Sequence, residues 1–169
     1  HTSTHTNDST SAKETLEPFN YDESIVNKLK IGLPKELLGE GINLEIRNAL
    51  TKKVKLLKDK GFTVVDVSLP HTKYAISTYY ILTTAEASTN LSRYDGVRFG
   101  HSSRSDDLQG MYMNSRSDGF GDEVKRRIIL GTFVLSSGYY NAYYAKAQKV
   151  RRLIRDDYTK VFDEVDILL

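Results

Sequence analysis

The side chain best suited to chemistry in this sequence is an arginine in an unexpected register. Residues 136–154 read SSGYYNAYYAKAQKVRRLI, four tyrosines running into a cluster of lysines and arginines. At about 100° per residue, with Ala147 at zero, Tyr140, Tyr143, Tyr144, Val150, Ile154, Tyr158, Val161 and Phe162 fall within about 60° of it and form one apolar stripe. Lys149, Arg152 and Asp156 point the opposite way, and Lys146, Gln148, Arg155 and Asp157 flank the stripe, so most of this charge is expected to be solvated. Arg151 falls inside the stripe, at about 40°, and is expected to be at least partly buried. A guanidinium taken out of water without a partner is strongly disfavoured and does not readily lose its proton, so an anion must lie beside it. Two partners meet that requirement: an Asp or Glu of a neighbouring element, or a ligand carboxylate or phosphate held by the planar fork and flanked by tyrosine hydroxyls. Helical geometry alone leaves both open.

Other chemistries find less support. A base-stacking module exposes its aromatics beside its basic residues, whereas here the tyrosines lie opposite Lys149 and Arg152. The net charge of +2 is also small for a domain whose affinity would come from phosphates. His1, His5, His71 and His101 have no metal-site spacing. Ser9, Thr10 and Ser11 have no base tied to them by a local pattern, and Gly96, Gly100, Gly119 and Gly121 form no phosphate-binding fingerprint. The absence of cysteine removes disulfides and thiolate nucleophiles. Apolar runs such as Ile128–Leu130 fall far short of the roughly 18 residues of a spanning helix, and no membrane partner is expected. With 39% hydrophobic and 27% charged residues, the composition is that of a soluble globular protein.

The elements that must position Arg151 can be read in outline. Residues 1–24 are rich in Ser, Thr and charge and are expected to be a polar loop or tail, leaving 25–169 as a partial domain. Lys30–Pro34 reads as a short strand closed by proline. A helix follows, with Asn43 as its N-cap and Gly61 at its C-terminal cap position. The β-branched run Phe62–Leu69 then reads as a second strand, and strand–helix–strand in this span implies a parallel βαβ unit. Residues 73–91 read as a mostly buried helix and 92–106 as a loop. From about Gly121 to Glu164 the pattern is helical, broken at Ser136-Ser137-Gly138, and Val165–Leu169 reads as a buried strand. The chain is thus expected to be part of a larger α/β protein with an anion site.

Several of these stretches are also similar to a known family. IGLPKE, EASTNLSRYDGVRFG, SRSDGFGDEVKRRIILGTFVLSSGYYNAYYAKAQKVRRLI and VFDEVDILL resemble, in order, consecutive blocks of the A subunits of glutamyl-tRNA(Gln) amidotransferases, within the amidase signature family. NDSTS, residues 7–11, resembles a hydroxyl-rich loop of the same family. The resemblance implies the amidase signature fold, an α/β architecture with a mixed sheet covered by helices on both faces. It implies part of an enzyme that hydrolyses glutamine and passes ammonia to a partner subunit, where glutamate on Glu-tRNA(Gln) is activated and amidated for translation. The implied partners are amidotransferase subunits B and C, with ATP and Mg in the partner subunit, no cofactor in this chain, and a cytoplasmic or organellar setting. The family's nucleophilic serine and catalytic lysine would lie upstream, so no catalytic residue is expected in this chain and it is expected to be inactive alone. Within the chain the resemblance assigns the α-carboxylate of glutamine to Arg151, in AQKVR. It also places the loop YDGVRFG beside the pocket, where Phe99 and His101 stand at positions matching a family tyrosine and supply no phenolic hydroxyl. A non-catalytic helical interaction domain and a piece of another amidase are the alternative readings.

Overall fold

A computed structural model describes Ser11, Val26, residues 28–39 and residues 41–169. The expected polar segment 1–24, with Ser9 and Thr10, lies outside the described residues apart from Ser11.

Three strands form one sheet in the order β2-β1-β3, namely β1 (Lys30–Pro34), β2 (Thr63–Val67) and β3 (Ile167–Leu168). Both pairings are parallel, with Ile31 opposite Val64 and Ile167, and Gly32 opposite Val65 and Leu168. The crossover helix α1 (Leu44–Asp59) joins β1 to β2, as the strand–helix–strand pattern requires. Asn43 opens it by accepting the Glu45 N–H at 2.8 Å. Gly61 closes it with φ of 89°, its N–H donating to the Lys58 carbonyl while the Phe62 N–H donates to Leu57, both at 3.0 Å. That left-handed closure is what glycine adopts without steric cost, and it turns the chain directly into β2.

Below the sheet, Val67, Leu69, Val161 and Val165 form a buried cluster, with Tyr158 and Leu168 packed against it. Each such aliphatic side chain contributes about 1.5–3 kcal/mol when fully withdrawn from water, so this cluster anchors the last helix to the sheet.

The rest is helical. A turn at Thr72–Tyr74 leads into α2 (Ala75–Leu91), which packs against α4 (Asp122–Leu135) and α5 (Lys146–Phe162). Between α2 and α4 stands α3 (Leu108–Gly119), capped by Asp107, whose carboxylate accepts the Gly110 N–H at 2.6 Å. The sequence gives no sign of α3 because LQGMYMNSRSDG mixes glycine, serine, asparagine and aspartate without a sustained apolar period. The break expected at Ser136-Ser137-Gly138 is present, and beyond it Asn141–Ala145 forms a π turn in which the Ala145 N–H donates to the Tyr140 carbonyl at 2.9 Å. This turn precedes α5 and puts the tyrosines out of the helical phase that the spacing alone implies.

Candidate functional site

Helices α2 and α5 face each other across a cavity of about 360 Å³. Leu82, Ala85, Glu86, Thr89 and Asn90 line it from α2, Gln148 and Arg151 from α5, and Leu135 and Tyr144 from the segments before α5. Ala85 on α2 and Ala147 on α5 are both buried, 2% and 4% exposed. The Gln148 side-chain amide donates to the Tyr144 hydroxyl at 3.0 Å, which fixes both polar groups on one wall.

Arg151 reaches this cavity but is exposed, not partly buried as its place in the stripe implies. The reason is the incomplete cover of the stripe: the buried residues of α5, Ala147, Asp157 and Val161, centre on the side away from Arg151, and before the helix Tyr139, Tyr140 and Tyr143 remain 45%, 42% and 41% exposed. The Tyr139 and Tyr143 rings instead gather around Phe133, with centroids 4.2 and 6.1 Å from it. Among the described residues Arg151 has no hydrogen-bond or ion-pair partner, so its five donors are available to a ligand anion.

A second departure concerns Asp157, placed by its spacing on the solvated flank of α5. It is only 7% exposed. The His71 N–H donates to its Oδ2 at 2.9 Å, and the His71 ring Nδ1 lies 3.0 Å from both of its oxygens. Burial pushes the Asp157 carboxyl up, but the His71 backbone donor, the His71 ring and the charge of Lys160 outweigh it and leave the pKa below the ordinary value. Glu36 grips the same connector from the other side, accepting the Ser68 hydroxyl at 2.5 Å and the Leu69 N–H at 2.8 Å. Those two bonds hold its carboxyl below the usual range. No pattern in the sequence marks either pair, because the partners lie far apart along the chain.

The loop after α2 is ordered by its own polar groups. Asp95 accepts the Arg98 and Val97 N–H groups, each at 2.9 Å, and these donors, with the Arg98 side chain at 3.2 Å, push its carboxyl down to about 2. Arg116 on α3 donates to the Leu91 and Tyr94 carbonyls at 3.1 and 3.0 Å and ties the loop to the end of α2. Phe99 is 56% exposed, and His101 Nε2 lies 2.9 Å from the Ser103 hydroxyl, which in turn donates to Asp118 at 2.8 Å. Neither Phe99 nor His101 lines the cavity that holds Arg151, so the three expected site residues do not converge in this chain. Glu86, Asn90 and Gln148 do join Arg151 there, and the only sequence signal for them was the helical face they share with it or oppose. Among the described residues no group of acidic or histidine side chains could hold a metal ion, and no helix is long and apolar enough to cross a membrane.

The sequence pattern of the amidase family matches residues 2–169. The chain belongs to the amidase family. This amidase chain is 52% identical over 160 residues to the A subunit of a glutamyl-tRNA(Gln) amidotransferase of Fusobacterium nucleatum, covering 94% of the chain and 33% of that protein. It is 53% identical over 164 residues to the protein of the same name from Neisseria meningitidis, covering 96% and 34%. A crystal structure of the glutamyl-tRNA(Gln) amidotransferase A subunit from Thermotoga maritima matches with a TM-score of 0.51 and 35% identity, over 81% of this chain and 25% of that one. The chain spans about a third of the length of the curated relatives it matches. The α/β architecture expected from the sequence is therefore the amidase one, seen here through a parallel three-stranded sheet and its helices.

Chemically, the cavity offers a guanidinium on one helix and a carboxylate, Glu86, on the facing one, with amide and hydroxyl groups between. A guanidinium binds a carboxylate through two parallel N–H bonds, and a carboxylate binds an ammonium, so the charge pattern suits a zwitterionic amino acid.

Proposed function

We propose that this chain is part of the glutamine-hydrolysing subunit of a glutamyl-tRNA(Gln) amidotransferase, and that Arg151 binds the α-carboxylate of glutamine. The observation that carries the reading is the unpartnered Arg151 guanidinium at a cavity of amino-acid size. Support also comes from identity above 50% with relatives bearing that name. Glu86 lines the opposite wall, and in this reading its carboxylate takes the α-ammonium. In this reading the ammonia released from glutamine serves partner subunits, B and C, which use ATP and Mg to amidate Glu-tRNA(Gln), in the cytoplasm of a bacterium or in an organelle. No step of the hydrolysis is assigned to a residue of this chain.

The test uses the assembled amidotransferase with Arg151→Lys, given either glutamine or free ammonium as nitrogen donor. A point charge cannot reproduce the planar fork, so the glutamine KM should rise about tenfold or more while ammonium-dependent amidation stays near the parent value. Equal loss with both donors would make Arg151 a structural residue.

A further inference from the structure

The two walls of the cavity are joined at one end by a bond set that takes no part in lining it. His71 ends the connector from β2 and stands just before the turn that opens α2, while Asp157 lies on α5. The backbone N–H and the ring of His71 both hold the buried Asp157 carboxylate, at 2.9 to 3.0 Å. Asp157 is six residues beyond Arg151, about 9 Å along the same helix axis. The cavity lies towards the other end of the pair, where Leu82–Asn90 of α2 meet Tyr144–Arg151.

A planar carboxylate held through both of its oxygens by the backbone N–H and the ring of one residue restrains its helix in rotation as well as in translation. Rotation is the sensitive coordinate for Arg151. About 10° of turn about the α5 axis carries a side-chain tip on the helix rim, roughly 5–6 Å from the axis, through about 1 Å. An error of that size at a bidentate site is enough to lose one of its two hydrogen bonds. Elsewhere α5 is seated by apolar packing, with Ala147 buried and Val161 in the cluster of Val67, Leu69 and Val165, which resists separation more than rotation.

We propose that His71 and Asp157 are positioning residues for the substrate arginine, fixing the rotation of α5 and so the direction in which Arg151 meets the ligand carboxylate. This inference rests on the carboxylate role of Arg151.

The experiment compares His71→Ala and His71→Asn in the assembled amidotransferase, each alone and combined with Arg151→Lys, with glutamine and with ammonium. His71→Ala should raise the glutamine KM about tenfold, with kcat and ammonium-dependent amidation changed by less than about twofold. His71→Asn keeps the backbone donor and offers a side-chain N–H near the place of Nδ1, so it should recover most of the loss. In the Arg151→Lys background the added penalty of His71→Ala should shrink to about twofold or less, because the two act through one contact. Full additivity, or equal loss with both donors, overturns the positioning role. A normal glutamine KM for Arg151→Lys alone would instead overturn the carboxylate role itself. Should His71→Ala fail to assemble, Asp157→Asn, which keeps the shape and one acceptor, is read by the same criteria.

Discussion

Gly131 on α4 lies so close to the carbonyl oxygen of Thr84 on α2 that a Cβ at position 131 would overlap it, and would also meet Ser88 Cβ at 2.6 Å. The approach is continued by a hydrogen bond of 3.0 Å between the Ser88 and Thr132 hydroxyls. Thr84 and Ala85, 1% and 2% exposed, complete a seam of small residues along which α2 and α4 are locked.

Gly131→Ala therefore tests the seam directly. In an unconstrained helix the exchange favours the helix by about 1 kcal/mol. Here the new methyl meets backbone, which cannot swing aside, and overpacking of this kind costs about 1–3 kcal/mol. The prediction is a net loss of stability, seen as a lower urea midpoint of the full-length protein with unchanged slope. A higher midpoint would mean that the helices separate at no cost.

The His71–Asp157 contact carries a pH dependence whose sign follows from the lowered Asp157 pKa. A carboxyl whose folded pKa lies below its unfolded one stabilises the fold at every pH above the unfolded value, about 4, and stops doing so as pH falls through the folded value. Removing the charge with Asp157→Asn should cost about 1–3 kcal/mol near neutral pH, because the His71 donors lose their charged acceptor. The urea midpoints of the parent and the variant should converge as pH is lowered from 7 to about 3. Curves that stay parallel over that range would show that the Asp157 charge does not stabilise the fold.

Much of the fold was legible because it rests on local signals. The βαβ unit announces itself through two proline-closed strands and a helix bounded by Asn43 and Gly61, each of which makes the capping contact its type favours. The break at Ser136-Ser137-Gly138 was equally local. What escaped the sequence depends on distance or on phase. Asp157 could not be matched with His71 from spacing on α5, since the partner is on another element. Arg151 is exposed because the buried residues of α5, Ala147, Asp157 and Val161, centre on the other side of the stripe, and the tyrosines leave the stripe through a π turn that nothing in YYNAYYA distinguishes from continuous helix. Helix α3 was hidden because its boundary is set by one aspartate cap and its body by contacts to the loop before it, such as that of Ser115 with Ser103 at 2.9 Å.

The Asp95 turn makes a local prediction. Asp95→Ala removes the acceptor shared by Val97 and Arg98, so amide exchange at those two positions should speed up about tenfold or more at neutral pH, with α2 unaffected. In the parent, protection should persist well below the ordinary carboxylate range and fade only as pH approaches about 2, where this group takes up its proton. Protection lost already near pH 4 would show that the two N–H groups do not hold the charge.

The opposed charges of Arg151 and Glu86 predict a crossed pattern of specificity. If the guanidinium binds the ligand carboxylate and Glu86 the ammonium, each side chain should matter only when the matching ligand group is present. With the parent complex, glutamine should outcompete both its α-deaminated and its α-decarboxylated analogue as donor. Arg151→Lys should lose about tenfold on glutamine and on the deaminated analogue while leaving the decarboxylated one unchanged. Glu86→Gln should do the reverse, losing about tenfold on glutamine and on the decarboxylated analogue while sparing the deaminated one. Hydrolysis of each analogue, followed as ammonia release, separates the two side chains without reference to stability, because a misfolded variant would lose all three donors together. Equal losses across the three by Glu86→Gln would remove Glu86 from the site and leave Arg151 to be judged by its own column of the comparison.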